Sequence, residues 1–305
     1  MSSWSRPRIE VSQVMGISTD QWRKRGHFSR LLGRSVFCVD TGELDKPAIL
    51  LIHGFPTSSW DWAPLWPALN ESHRLVAMDL LGFGFSDKPN PHRYSIMEQA
   101  DLCDALVADR KLDAFHVLAH DYGDTVAQEL LARQVDGSGA GRWESICFLN
   151  GGLFPETHEA RLIQKLLLSP LGPLINRLSS KRTFDKSFSA VFGPRTKPSA
   201  DELDAFWSLI NHNGGKHAFH NLITYMSDRK TYRERWVDAL CRSPVPIGLI
   251  NGSADPVSGA HMVARYREVV SPDHFIVELP EIGHYPQVEA PEAVLDAYFR
   301  FLRQL

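Results

Sequence analysis

The run His116-Val117-Leu118-Ala119-His120-Asp121-Tyr122-Gly123 decides the fold. A β-rich stretch, His116 to Ala119, leads to a polar residue at 121, a glycine two positions later and a helical pattern from Thr125 to Val135. That is the spacing of a nucleophile elbow, in which a strained strand-to-helix bend lifts one side chain clear of the backbone. The usual centre of the bend is Ser; here it is Asp121. An Asp ahead of a helix also suits an N-cap, because its carboxylate can accept from the unpaired amides of the first turn. The rest of the chain decides between the two.

Outward from the elbow, β-rich runs recur at Ser35 to Val39, Ala48 to Ile52, Leu75 to Met78, Ile146 to Leu149, Ile247 to Ile250 and Phe275 to Leu279. Several are continuously apolar, as strands buried on both faces of a parallel sheet are. Helical patterns lie between them. Ser95 to Arg110 sets Ile96, Ala100, Cys103, Leu106 and Val107 near one face, and Ser95 with Glu98 reads as a capping box. Pro291 opens a last helix with Val294, Leu295, Tyr298 and Leu302 facing inward. This alternation predicts an α/β fold with a mostly parallel sheet covered on both faces. From about Pro155 to Leu240 the strand signal vanishes, and helical patterns are broken by Pro170, Pro173, Gly193, Pro194 and Gly214-Gly215. An all-helical stretch between two strands reads as a lid. The expected division is core 1–154, helical cap 155–240 and core 241–305.

Composition narrows the function. The 305 residues are 43% hydrophobic and 23% charged, enough apolar material for a sizeable core. Lys and Arg total 33 against 36 acidic residues, a balance of −3 that lacks the basic footprint of a nucleic-acid binder. The cysteines at 38, 103, 147 and 241 are far apart and form no CxxC pair, which fits free thiols in a reducing compartment. No apolar stretch reaches the roughly 18 residues of a membrane span. Met1 to Gly16 mixes Ser, Arg, Pro and Glu instead of the apolar run of a secretory signal. A cytoplasmic protein is expected.

Ligands of open α/β sheets bind beyond the carboxyl ends of the strands. Four such ends carry chemistry: His53-Gly54-Phe55-Pro56, the elbow, Gly252-Ser253-Ala254-Asp255-Pro256 and Gly283-His284-Tyr285. With these motifs, and Asp79-Leu80-Leu81-Gly82-Phe83-Gly84-Phe85-Ser86, the chain resembles the α/β-hydrolase superfamily. The resemblance is to its Asp-nucleophile branch, the epoxide hydrolases and haloalkane dehalogenases. Within that branch His53 to Trp60, Gly82 to Pro89, His120 to Leu130 and Asn150 to His158 are similar to the mesoderm-specific transcript proteins. The resemblance implies an eight-stranded, mostly parallel sheet with the cap inserted after strand 6. It also implies a hydrolase of small molecules that uses no cofactor and no metal.

Chain order supports the roles separately. Asp121, Asp255 and His284 follow one another as nucleophile, acid and base do in this fold. With a reference pKa near 3.9, an Asp is ionised at neutral pH and attacks without help from a base. Attack by Ser on saturated carbon would leave a stable ether, whereas attack by Asp leaves an ester that water activated by His284 can hydrolyse. Asp255 would orient His284 and stabilise its charged form. The backbone amides of Phe55 and Tyr122 would form the oxyanion hole.

Epoxide and halide differ in what leaves. An opened epoxide oxygen wants a proton, and a halide wants N–H donors, which dehalogenases place directly after the nucleophile and in the first loop. Those positions hold Tyr122 and Phe55, neither of which is a halide donor. Phe55-Pro56 matches the His-Gly-x-Pro loop of epoxide hydrolases, and Tyr225 falls where their lid tyrosine stands. Tyr225 is therefore the candidate acid, against the plainer reading of a tyrosine packed on a lid helix. The second lid tyrosine usual in epoxide hydrolases has no counterpart between Pro155 and Thr224. His53 and Trp207 are candidate pocket residues, Trp207 as a halide donor or simply as core. His120 reads as structural, Asp124 as a helix cap, and the histidines from His212 to His220 as a polar loop without a metal site. Epoxide opening leads, dehalogenation follows by the same mechanism, and a catalytically silent ligand-binding protein is the alternative of a different class.

Overall fold

The computed structural model describes residues 16–157, 166–169, 171–178 and 180–305; the first 15 residues, read above as lacking a leader, lie outside them. One sheet contains β1 (Gly26–Leu31), β2 (Arg34–Asp40), β3 (Ala48–Ile52), β4 (Arg74–Met78), β5 (Ala114–His120), β6 (Arg142–Leu149), β7 (Ile247–Gly252) and β8 (Phe275–Leu279). Their order is β1-β2-β4-β3-β5-β6-β7-β8. Neighbours are parallel from β4 to β8. Pairing is antiparallel at the β1–β2–β4 end.

The strand period of two divides the core into layers. Leu50 and Ile52 of β3, Val76 and Met78 of β4, and Val117 and Ala119 of β5 join one apolar cluster. Their alternates Ile49, Leu51, Leu75, Ala77 and Leu118 join the other. Burying each Leu or Ile contributes roughly 1.5–3 kcal/mol, which is why these strands carry almost no polar residue. Helices cover both faces: α1 (Thr19–Arg25), α2 (Trp66–Asn70), α3 (Ile96–Asp109) and α4 (Tyr122–Asp136) before the cap. The capping box at α3 is half formed. Ser95 Oγ accepts from the Glu98 amide at 3.1 Å, but the Glu98 carboxylate accepts from His92 Nε2 at 2.8 Å instead of returning to Ser95.

Between β6 and β7 the described elements, called the cap below, are helical: α5 (Gly172–Leu178), α6 (Lys181–Ser189), α7 (Ala200–Asn211), α8 (Phe219–Leu222), α9 (Tyr225–Thr231) and α10 (Arg233–Cys241). After β7 come α11 (Ala260–Val269), α12 (Pro286–Glu289) and α13 (Pro291–Leu302). The cap is tied to the core at its C-terminal end through Glu129 of α4, a buried carboxylate. It accepts from Arg235 Nε at 2.9 Å, Trp236 Nε1 at 2.8 Å and Arg133 Nε at 3.1 Å. A second tie lies near Gly193, whose amide donates to Glu289 Oε2 at 2.8 Å, while the His284 amide donates to the Val191 carbonyl at 2.9 Å. No helix of the described residues is long and apolar enough to cross a membrane.

Candidate active site

The elbow is built from backbone strain and a close approach. Asp121 follows β5 with φ 48° and ψ −104°, a conformation that a non-glycine residue adopts only when its surroundings impose it. α4 starts at Tyr122, and Gly123 presses against β3: a Cβ there would lie 2.3 Å from the Ile52 carbonyl oxygen. Asp121 occupies the N-cap position, yet its side chain makes no capping bond. The carboxylate turns the other way. Its Oδ2 accepts from the Phe55 amide at 3.0 Å, and its Oδ1 lies 3.7 Å from His284 Nε2.

Behind it stands the second carboxylate. His284 Nδ1 donates to Asp255 Oδ2 at 2.7 Å, which leaves Nε2 facing Asp121. Asp255 also accepts from the Val257 amide, from the Ser258 amide and hydroxyl, and from Asn150 Nδ2. Burial by itself raises a carboxyl, but at Asp255 the charge and hydrogen bond of His284 outweigh it and hold the group below its ordinary value. Asp121 is held low against burial in the same way, by His284 first and then by Arg229. For His284 burial disfavours the charged ring, and Asp255 with Asp121 overcomes it, so the imidazole is raised well above its usual range.

These groups open on a cavity of about 140 Å³, room for a group of roughly benzene's size. Asp121, His284, Phe55, Trp207 and Tyr225 all line it. So do Leu167, Phe184, Phe188, Val191, Phe219 and Tyr285, giving it a largely aromatic and aliphatic wall. Tyr225 is buried, and burial, then the charge of Asp121, keeps its phenol protonated far above neutral pH. The Tyr122 side chain packs away from the cavity against Phe83 and Tyr225. Its amide belongs to the first turn of α4, where backbone N–H groups have no partner within the helix.

His53 does not belong to the wall. It is fully buried, its Nε2 accepts from the Leu80 amide at 2.9 Å, and burial pulls its pKa down to about 4. It joins the two loops that follow β3 and β4. His120 is structural as expected from the sequence: Nε2 donates to the His284 carbonyl at 2.7 Å, and burial lowers its pKa to about 3. Asp124 corrects the capping expectation. It lies inside the first turn of α4, not ahead of it, and burial, then the charge of Asp121, pushes its carboxyl well above the usual range. Asn150, at φ 45°, is a donor to Asp255 and a partner of Gly252 rather than an acid.

Two neighbours of Asp121 escaped the sequence reading. Tyr285 lines the cavity beside His284, and its hydroxyl donates to the Phe55 carbonyl at 3.0 Å. Adjacency to His284 was the available signal. Arg229 donates through Nη2 to the Asp121 carbonyl at 3.3 Å, and only its i+4 spacing from Tyr225 pointed toward the site.

Residues 49–297 match the alpha/beta hydrolase family, and the chain belongs to that family. It is 43% identical over 290 residues to the mesoderm-specific transcript homolog protein of Bos taurus, across 92% of this chain and 87% of the relative. It is 42% identical over 285 residues to the "Putative hydrolase LipZ" of Mycobacterium tuberculosis, across 93% and 98% of the two chains. Among solved structures, a haloalkane dehalogenase loop variant from Bradyrhizobium elkanii superposes with a TM-score of 0.76 at 22% identity. That superposition covers 90% of this chain and 95% of that one, a likeness of fold.

Proposed function

We propose that this hydrolase opens epoxides to diols through a covalent ester on Asp121. The observation that carries the reading is the carboxylate at the elbow, lining an apolar cavity with His284 Nε2 3.7 Å from its Oδ1. An ionised Asp121 attacks the less hindered epoxide carbon while Tyr225 protonates the departing oxygen. His284 then takes a proton from water, which adds to the ester carbonyl. The Phe55 amide, already bonded to Oδ2, stabilises the resulting oxyanion together with the Tyr122 amide. Asp255 steadies the imidazolium. The apolar wall favours a neutral substrate with one aryl or branched alkyl group.

A single turnover in heavy-oxygen water tests this. Label is expected in Asp121, and Asp121→Asn should form neither ester nor diol. A diol produced with no label in Asp121 rejects the covalent mechanism. Dehalogenation is the second reading, favoured by Trp207, a side chain with an N–H donor in the cavity wall. Under it, alkyl halides would label the same carboxylate with stoichiometric halide release, and epoxides would not.

A further inference from the structure

Arg229 sits one helical turn beyond Tyr225 on α9, so the two side chains leave the cap on one face. It is 2% exposed. Its Nε donates to Thr125 Oγ1 at 2.8 Å in the first turn of α4, and its Nη2 reaches the Asp121 carbonyl and lies 3.7 Å from Asp121 Oδ1. The guanidinium also covers the face of Tyr225, with Cζ 4.6 Å from the ring centroid. Nη1 is buried without a hydrogen-bond partner among the described residues, and Gly152 packs so close that a Cβ would lie 2.4 Å from it. A buried, incompletely paired guanidinium is a burden on stability that an apolar side chain of similar volume would avoid.

We propose that Arg229 is a positioning residue for the acid step, holding its charge against the ring of Tyr225 as the epoxide opens. The inference rests on Asp121 as nucleophile and Tyr225 as acid. An Asp121 oxygen bonds to the epoxide carbon, the C–O bond of that carbon breaks, and its electron pair passes to the oxygen. That oxygen takes the Tyr225 proton. The negative charge thereby moves from Asp121 to a phenolate, and Arg229 contacts both residues, so it never loses its counter-charge. Hydrolysis of the neutral ester by water restores the Asp121 carboxylate and releases a proton, which returns to the phenolate.

The test is the rate of Asp121 esterification by epoxides graded in the basicity of the opened oxygen, measured in wild type, Arg229→Met, Arg229→Lys and Tyr225→Phe. Loss of a desolvated cation from an aromatic face should slow esterification by roughly 10- to 30-fold in Arg229→Met, most for the most basic oxygens. Arg229→Lys should recover part of the rate and also serves if the methionine variant folds poorly. Adding Arg229→Met to Tyr225→Phe should change little. Equal slowing across the series, or effects that multiply in the double variant, would overturn the proposal while leaving Asp121 as nucleophile. Wild type that converts the epoxides without label in Asp121 overturns both.

Discussion

Replacing His284 by Phe should separate the two halves of the proposed reaction. The ring shape is kept, and both nitrogens are lost. Esterification needs an ionised Asp121, which retains the Phe55 amide at 3.0 Å and Arg229 beside it, so the first step should survive. The second step loses its base and should slow by about 10²- to 10⁴-fold. The stability penalty can be worked from Asp255. It loses one donor, His284 Nδ1 at 2.7 Å, and keeps the Val257 amide at 2.7 Å, the Ser258 amide at 3.1 Å, the Ser258 hydroxyl at 2.8 Å and Asn150 Nδ2 at 3.1 Å. A hydrogen bond to a charged group is worth about 1.5–3 kcal/mol, so the melting temperature should fall by roughly 3–10 °C and the chain should still fold. Mixed with an epoxide, the variant should gain the mass of one substrate per protein, mapped by peptide mass spectrometry to the fragment containing Asp121. Diol formation at the wild-type rate, or a folded variant that stays unmodified with an epoxide that wild type converts, would refute the division of labour.

The pH dependence should differ between the steps. Asp121 is held below the ordinary carboxylate range, so esterification should be flat through neutral pH. His284 is raised by Asp255 and Asp121 against burial, and only its neutral form can accept a proton from water, so ester hydrolysis should rise with pH. Because esterification removes the charge of Asp121, the imidazole of the intermediate should titrate lower than that of the free enzyme. Single-turnover rates against pH check this, and a hydrolysis rate independent of pH contradicts it. Glu129→Gln should destabilise the fold by about 2–4 kcal/mol in denaturant titrations, because Arg235, Trp236 and Arg133 lose their shared buried acceptor charge. A change below about 0.5 kcal/mol, the range of an ordinary surface substitution, would show that this junction contributes nothing.

The sheet was readable because its central strands are buried on both faces: Ile49 to Ile52 and Val117 to Ala119 have no polar alternative to offer. β1 went unread for the opposite reason. It is an edge strand, its burial pattern is mixed and Phe28 is 51% exposed, so neither alternation nor a continuous apolar run marks it. The grouping of Asp121, His284 and Asp255 followed from three strand ends, since strand ends converge wherever a parallel sheet forms. Cap residues have no such rule. Phe184, Phe188 and Phe219 face the cavity because of how short helices turn over it, which spacing along the chain does not encode. Arg229 shows the limit most sharply, since an arginine in the sequence Asp228-Arg229-Lys230 reads as a solvated helix face until the elbow is placed beneath it.

The stitching of the cap restricts how a substrate can arrive. Near residue 229 and again near residue 193, pulling the cap from the core would break charged bonds to α4, to the elbow and to Glu289. Within the cap, Lys181 pairs with Asp185 and Asp204, and Asn176 with His220, so its helices are also bound to one another. A molecule bound for Asp121 must therefore fit beneath a cap fastened at both seams, so loosening the bonds to Glu129 or Glu289 should alter which molecules are admitted without touching the chemistry inside.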